Sequence, residues 1–200
     1  SLTDFAIGLH ASALLRDGGT LQIGIGSLGD AIVYASRLRQ EHNEIYREVI
    51  GALGTDPALV ERTGGLEPFS EGLYGCSEMF VNGFLHLMRA GIVKRRVYDH
   101  ACLQRAINQS GSARPDARLL AALRDNGAIG ATLTPADLAF LQRWGVFDAA
   151  VELREGRLHR GGQGGPASIA DAASLEAVCA LALGDRLRGG IHLHGGVFLG

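Results

Sequence analysis

The sequence predicts an α/β protein built on an open, mostly parallel sheet with flanking helices. Short apolar segments typical of strands alternate with longer amphipathic segments typical of helices. The chain has 29 glycines in 200 residues, about twice the usual share, and they lie mostly at the ends of these segments. A strand-like segment at residues 20–23 is followed by a glycine-rich turn and a helix start. These features are typical of repeated strand–turn–helix units.

Helix and strand patterns in the first half of the chain follow the order expected of such units. Thr3 and Asp4 are suited to cap a helix that ends near Arg16, before two glycines. The patterns then predict a strand at 20–23, a long helix at 30–52, a loop or short helix at 54–72, a strand at 73–76 and a helix at 79–89. This order favours parallel pairing of the two strands.

The second half of the chain is predicted to leave the main sheet and then return to it. The patterns predict helices at 99–108, 117–124 and 134–144, a polar hairpin at 151–158, a flexible link at 161–166, an apolar helix at 172–183 and a strand at 191–194. Thr134 precedes a proline and an acid, which is a strong helix start. We therefore expect a core segment at 1–98, a helical excursion at 99–162 and a return to the core sheet at 163–200.

Composition excludes several classes of function. The 19 basic and 21 acidic residues are nearly balanced and form no basic stripe, which argues against a nucleic-acid partner. No apolar run approaches the roughly 18 residues of a membrane span. Cys76, Cys102 and Cys179 are an odd and scattered set, which favours a reducing, cytoplasmic location and argues against a zinc site. The sequence begins without Met and ends after an apolar segment, so we expect a piece of a longer polypeptide and an incomplete domain.

The segment from Gly24 to Gly29 reads G-x-G-x-x-G, which is the spacing of the dinucleotide-binding turn. Its context fits, because a strand precedes it and a helix follows. A dinucleotide site also needs an acid about 20 residues further on, at the end of a second strand, to bind the ribose. Glu44 has that spacing but lies within a predicted helix. An NAD(P)-binding oxidoreductase therefore stays one alternative, and a strand-to-helix turn without any ligand is another.

Glu78 lies at a second predicted junction between a strand and a helix. A carboxylate at this position can cap the helix, or it can act as a nucleophile toward an activated acyl group. The nucleophilic role needs N–H donors near the developing oxyanion, and a glycine-rich turn on a neighbouring strand would supply them. No G-x-S-x-G sequence is present, so a serine hydrolase has little support.

Three motifs together resemble the acetyl-CoA hydrolase/transferase family of CoA transferases. They are Thr-Leu-Gln-Ile-Gly-Ile-Gly at 20–26, Ser-Glu-Met at 77–79 and Leu-His-Gly-Gly-Val-Phe-Leu-Gly at 193–200. The resemblance covers residues 4–35, 72–97 and 184–200, and elsewhere it is loose. It implies the NagB/RpiA/CoA-transferase-like fold and a fragment of the catalytic C-terminal domain.

The resemblance also implies roles for individual residues. Glu78 would be the nucleophile that carries CoA as a glutamyl thioester. The turn residues would supply oxyanion donors and bind CoA; they are Gly24, Ile25, Gly26 and Ser27. The residues that would line the pocket are Gly75, Ser77, His194 and Gly195. The substrates implied are an acyl-CoA and a small carboxylate or water, with no permanently bound cofactor and no metal. An incomplete domain exposes apolar surface, through which a homo-oligomer can form.

Departures from the family pattern keep a non-catalytic alternative open, a fragment that binds CoA, a nucleotide or a partner. The chain has Cys76 where many members have His, and Asn82 where many have Asp. The glycine-rich segment at 161–165 imitates a second family loop but precedes the strand that the loop should follow, so we interpret it as a linker. We expect residues 1–200 alone to be inactive, and we expect His192 to be a core histidine with its hydrogen bonds satisfied.

Overall fold

The computed structural model describes residues 1–195 and divides into two compact units. Unit 1 is formed by Ser1–Val97 together with the segment that begins at Ile191, and unit 2 is formed by Tyr98–Gly190. The sequence places the first division within two residues of the observed one. It places the return to the core sheet at residue 163, whereas residues 163–190 belong to unit 2.

The elements follow one another in a mixed order of helices and strands. They are α1 (Leu2–Ala13), β1 (Thr20–Gln22), α2 (Ser27–Glu41), α3 (Asn43–Ala52), α4 (Pro57–Thr63), β2 (Tyr74–Ser77), α5 (Asn82–Arg89), α6 (Ala101–Ser110), α7 (Ala117–Asp125), α8 (Pro135–Arg143), β3 (Glu152–Arg154), β4 (Arg157–Arg160), β5 (Gln163–Pro166), α9 (Ala172–Ala182) and β6 (Leu193–Gly195). No helix among the described residues is long and apolar enough to span a membrane.

The sheet of unit 1 has the strand order β1-β2-β6, and both pairings are parallel. Leu21 aligns with Gly75, which aligns with Leu193, so these three residues share one face. Helix α5 covers this face, because a Cβ atom on Gly75 would lie 2.8 Å from the Phe84 ring. The predicted α/β chain with a parallel sheet is thus confirmed at the level of unit 1.

The opposite face of the same sheet carries polar side chains. Side chains alternate along a strand, so Gln22, Cys76 and His194, which align with one another, project from this second face. Thr20 and Tyr74 precede them by two residues and share the face. We refer to these five residues as the polar face. Buried parallel strands usually read as apolar on both sides, so a polar face is a departure that points to function.

The long helix predicted at 30–52 is wrong, because the chain breaks between α2 and α3 at His42, whose φ is −139° and ψ is 60°. The Asn43 side chain donates to the carbonyl oxygens of Arg39 and Leu66, at 2.9 and 2.7 Å. An amide that bonds the backbone in this way competes with the continuing helix. The break turns α3 so that Tyr46 and Ile50 are buried in unit 1.

Unit 2 contains an antiparallel sheet in the order β3-β4-β5. The predicted hairpin is present as β3 and β4. The predicted flexible link at 161–166 is wrong, because Gln163–Pro166 forms β5 and pairs with Arg157–Arg160. Gly161 and Gly162 have φ values of 55° and 82°, which turn the chain back onto β4. Both pairings of this sheet are antiparallel, as the hairpin predicted at 151–158 requires.

Candidate functional site

The carboxyl ends of β1, β2 and β6 lie at the same edge of the sheet of unit 1, because all three strands run in parallel. The glycine turn follows β1, Glu78 follows β2, and Gly195 ends β6. Ligands bind preferentially outside this edge in open α/β sheets. The fold therefore gathers parts of all three motifs, while Gly196 to Gly200 of the third motif lie outside the described residues.

The glycine turn is open to solvent on the side that a ligand would approach. Gly24 and Gly26 are exposed, and a Cβ atom on either would meet no heavy atom within 4 Å. Gly26 has a φ of 125° and begins α2 without a side-chain cap. The first N–H groups of a helix lack intrahelical acceptors, and here no cap supplies one. The turn can thus approach an anionic group through its backbone.

Gly29, the third glycine of the turn, serves packing instead of ligand access. A Cβ atom at this position would lie 2.7 Å from the carbonyl oxygen of Gly24 and 2.9 Å from Cγ2 of Ile23. Helix α2 can therefore begin close to the end of β1 only with glycine here. The neighbouring Ser27, a predicted CoA-binding residue, is exposed at the start of α2 and contributes, as the smallest of several causes, to the lowered pKa of Asp4 on α1.

Ser77 fixes the backbone on the amino-terminal side of Glu78. It is buried, and its hydroxyl donates to the carbonyl oxygen of Ile23 at 3.0 Å and also contacts the carbonyl oxygen of Met79. The side chain thus links the end of β1 to the turn after β2. Glu78 itself is exposed. A carboxylate held on a fixed backbone and open to solvent is accessible to a substrate.

A small cavity of about 70 Å³ lies between the ends of β2 and β6. It is lined by Ser77, Phe80, Leu193, His194 and Gly195. The lining contains three of the four residues that the resemblance places in the pocket. Phe80 was missed by sequence reasoning, although it lies two residues after Glu78 in the same motif region.

Gly75 and His192 have surroundings that differ from those expected. Gly75 is buried beneath Phe84 and Leu193, so its missing side chain allows helix α5 to pack and does not open the pocket. His192 was expected to be a satisfied core histidine, but the residue is only half-buried and its buried Nδ1 atom has no hydrogen-bond partner. That expectation is wrong because the end of the sheet offers Nδ1 no partner among the described residues.

The polar face contains a hydrogen bond that sequence reasoning did not find. The Tyr74 hydroxyl lies 2.6 Å from Nδ1 of His194, and the Arg95 guanidinium carbon lies 5.9 Å from the centre of the Tyr74 ring. Burial raises the pKa of Tyr74, and so does the nearby Cys76, while Arg95 opposes the rise. Tyr74 and His194 are 120 residues apart in sequence, so only the strand register brings them together.

The cysteines of the described chain are free, and no cluster of three or more His, Cys, Asp or Glu side chains between residues 1 and 195 could hold a metal ion. Burial raises the pKa of the Cys179 thiol in unit 2 to about 11, with smaller contributions from Asp116 and Glu176. A thiol with a raised pKa is a poor nucleophile near neutral pH.

Comparison of this chain with family models, curated proteins and solved structures gives no match. The resemblance to the acetyl-CoA hydrolase/transferase family therefore depends on three short motifs.

Proposed function

We propose that the protein transfers or hydrolyses acyl groups carried on coenzyme A, through a glutamyl-CoA thioester at Glu78. One observation carries the proposal: the exposed Glu78 carboxylate and the uncapped glycine turn follow neighbouring parallel strands at one edge of the sheet. A nucleophilic carboxylate beside free N–H donors is the pair of groups that acyl transfer requires.

In the first step a Glu78 carboxylate oxygen attacks the thioester carbonyl of the acyl-CoA. The new C–O bond forms a tetrahedral oxyanion, which the N–H groups of the glycine turn stabilise. The C–S bond then breaks, and CoA leaves as the thiolate with the bonding electron pair. The product is a mixed anhydride between the acyl group and Glu78.

In the second step the CoA thiolate attacks the Glu78 carbonyl of the anhydride. The acyl group leaves as a free carboxylate, and CoA stays bound to Glu78 as a thioester. A second carboxylate then reverses the two steps, which gives transfer, or water attacks the thioester, which gives hydrolysis. Each step conserves atoms and charge, and no step requires a metal or a redox cofactor.

The surroundings of Glu78 support a substrate that is partly apolar. Four large apolar side chains are exposed in the segments that follow β1 and β2, namely Ile25, Leu28 at the start of α2, Met79 and Phe80. Such side chains suit contact with the pantetheine arm of CoA, while the backbone of the turn suits its polar groups. The free thiols agree with a reducing compartment such as the cytoplasm.

The test is the covalent intermediate in the natural full-length polypeptide. After incubation with acetyl-CoA, borohydride should reduce the thioester to an alcohol, and peptide mass spectrometry should find it at residue 78. The substitution Glu78→Gln should remove the adduct and lower turnover by roughly three orders of magnitude or more, because the amide is not nucleophilic.

Glu71→Gln is the matched control, because Glu71 is an exposed acid on the same segment before β2. It should keep both the adduct and the turnover. Full activity in Glu78→Gln, with unchanged folding by circular dichroism, would contradict the nucleophile. Tight CoA binding without turnover, in both the unaltered protein and Glu71→Gln, would favour the non-catalytic alternative.

A second candidate function, NAD(P) binding, is favoured by a specific observation. Glu44 has the usual spacing of the ribose-binding acid but lies in helix α3, whereas Glu78 directly follows β2, the strand that pairs with β1, which is the topological position of that acid. Gly29 also has the close-packing role of the third glycine. Saturable NADH fluorescence without CoA affinity would support an oxidoreductase and would refute acyl transfer.

A further inference from the structure

We infer that the polar face binds a small monocarboxylate through Nε2–H of His194, and that Tyr74 positions this histidine for the purpose. The inference rests on the proposed function only in taking this carboxylate to be the acyl acceptor. The binding site itself is argued from the contacts of Tyr74, His194 and Arg95.

The Tyr74–His194 hydrogen bond determines which ring nitrogen faces outward. With the phenol donating to Nδ1 at 2.6 Å, the neutral imidazole carries its proton on Nε2 and offers it as a donor. The Arg95 cation beside the phenol ring favours the phenol as the donor of this pair. The Tyr74 side chain is buried and His194 is exposed, so the fixed partner lies inside and the free N–H faces solvent.

The charge of the polar face suits an anion. Its five residues include no acid, and the Arg95 guanidinium lies against the ring of one of them, Tyr74. The Arg95 guanidinium donates to the carbonyl oxygen of Gly19 and to the hydroxyl of Thr20, at 3.2 and 3.1 Å. Among the described residues no carboxylate forms an ion pair with it. The positive charge is therefore not cancelled by a protein acid.

The position of His194 places this donor at the edge of the sheet where Glu78 and the glycine turn lie. His194 aligns with Cys76, two residues before Glu78, and it lines the small cavity with Phe80 and Leu193. A carboxylate bound at His194 can thus place a short apolar group in this cavity, against Phe80. The lining favours a small monocarboxylate over phosphate, which has no apolar part to bury.

The experiment titrates the chain with sodium acetate and follows the histidine rings by long-range ¹H–¹⁵N correlation spectra. His194→Gln identifies the His194 signals. We expect His194 to exist as the Nε2–H tautomer and to shift saturably with acetate. Tyr74→Phe should give a mixture of tautomers and weaken acetate binding by roughly tenfold, because the lost hydrogen bond no longer orients a donor to an anion.

Thr55→Val is the matched control. The Thr55 hydroxyl bonds Nδ1 of His10 at 2.8 Å, so this variant also removes a hydroxyl partner from a histidine of unit 1. It should leave acetate affinity unchanged. Equal acetate affinity in Tyr74→Phe and the unaltered chain would overturn the inference, and so would phosphate binding at His194 with the affinity of acetate.

The variant Glu78→Gln separates this inference from the proposed function. It should still bind acetate at His194 with unchanged affinity, whatever its catalytic activity. Acetate binding at His194 without any glutamyl-CoA adduct would refute the proposed function alone. A glutamyl-CoA adduct in a protein whose His194 signals ignore acetate would refute the acetate site alone.

Discussion

Unit 1 and unit 2 are stabilised in different ways. In unit 2 one continuous apolar cluster joins residues from its helices to the antiparallel sheet, with Leu120, Leu141 and Phe147 fully buried. The described part of unit 1 divides its apolar residues between a cluster beside the sheet and a second around Tyr46 and Val60. It also buries Arg39, whose side chain is almost fully covered.

The difference separates a scaffold from a ligand-binding region. A continuous apolar core stabilises a fold by removing apolar surface from water, whatever reaction or ligand the protein serves. Unit 1 instead uses buried polar contacts and close backbone approaches, and it leaves one sheet face polar and one sheet edge open. Buried polar contacts and close backbone packing of this kind tend to occur where a protein binds its ligands. The substitutions below test this comparison, from the largest expected effect to the smallest.

Arg39→Met should destabilise unit 1 by about 3 kcal/mol, because three carbonyl oxygens, one buried and two partly buried, lose their donor. The guanidinium donates to Ser12, Leu15 and Glu67 and stacks 4.1 Å from the centre of the Phe69 ring. Urea unfolding followed by circular dichroism measures the loss. The control is Arg124→Met in unit 2, which removes one carbonyl bond, to Ile169, and an ion pair with the exposed Asp125 that contributes little, and it should cost about 1 kcal/mol. Equal losses of unfolding free energy in the two variants would contradict the proposed difference between the units.

Gly29→Ala should destabilise the chain by about 1–3 kcal/mol, because the new methyl group overlaps Gly24 and Ile23. It should also weaken ligand binding at the glycine turn, since α2 must move away from β1. Gly51→Ala provides the opposite case in the same unit. A Cβ atom there meets nothing within 4 Å inside α3, so alanine should stabilise by about 0.5–1 kcal/mol. If Gly29→Ala left the free energy of unfolding unchanged, the packing role of Gly29 would be contradicted.

Cys179 should make unit 2 less stable at alkaline pH. Its pKa rises from 9.0 to about 11 on folding, chiefly through burial. Between these values the unfolded chain loses the proton and the folded chain keeps it, so the free energy of unfolding falls as pH rises. Cys179→Val should reduce this fall, measured as the urea midpoint from pH 8.5 to 11. Cys102→Val should retain it, and an equal effect of both variants would contradict the assignment.

Local sequence patterns predicted the elements that depend on neighbouring residues. The start of α8 is capped by Thr134 with a proline in its first turn, as the sequence indicates, and the hairpin of β3 and β4 is present. The glycine turn and Glu78 could be placed at the ends of strands for the same reason. Parallel pairing then follows from strand direction, which brings the two segments to one edge.

Features that depend on distant contacts could not be predicted from the sequence. The break between α2 and α3 requires the carbonyl of Leu66 as a partner for Asn43. Two of the four residues of strand β5 are glycine, so the segment has no side-chain pattern from which a strand could be recognised. The Tyr74–His194 pair depends on the register of β2 against β6, and no local signal encodes that register.

The chain order of unit 1 has a consequence for how the protein is made. Strand β6 belongs to unit 1 but follows the whole of unit 2 in the sequence. A ribosome therefore completes unit 2, a continuous segment, before it delivers the third strand of the first sheet. Contacts with such long sequence separation form slowly, since loop closure must precede them. The emerging chain must hold β1 and β2 with an unpaired edge until residue 193 is synthesised, a period in which a chaperone would protect it from aggregation.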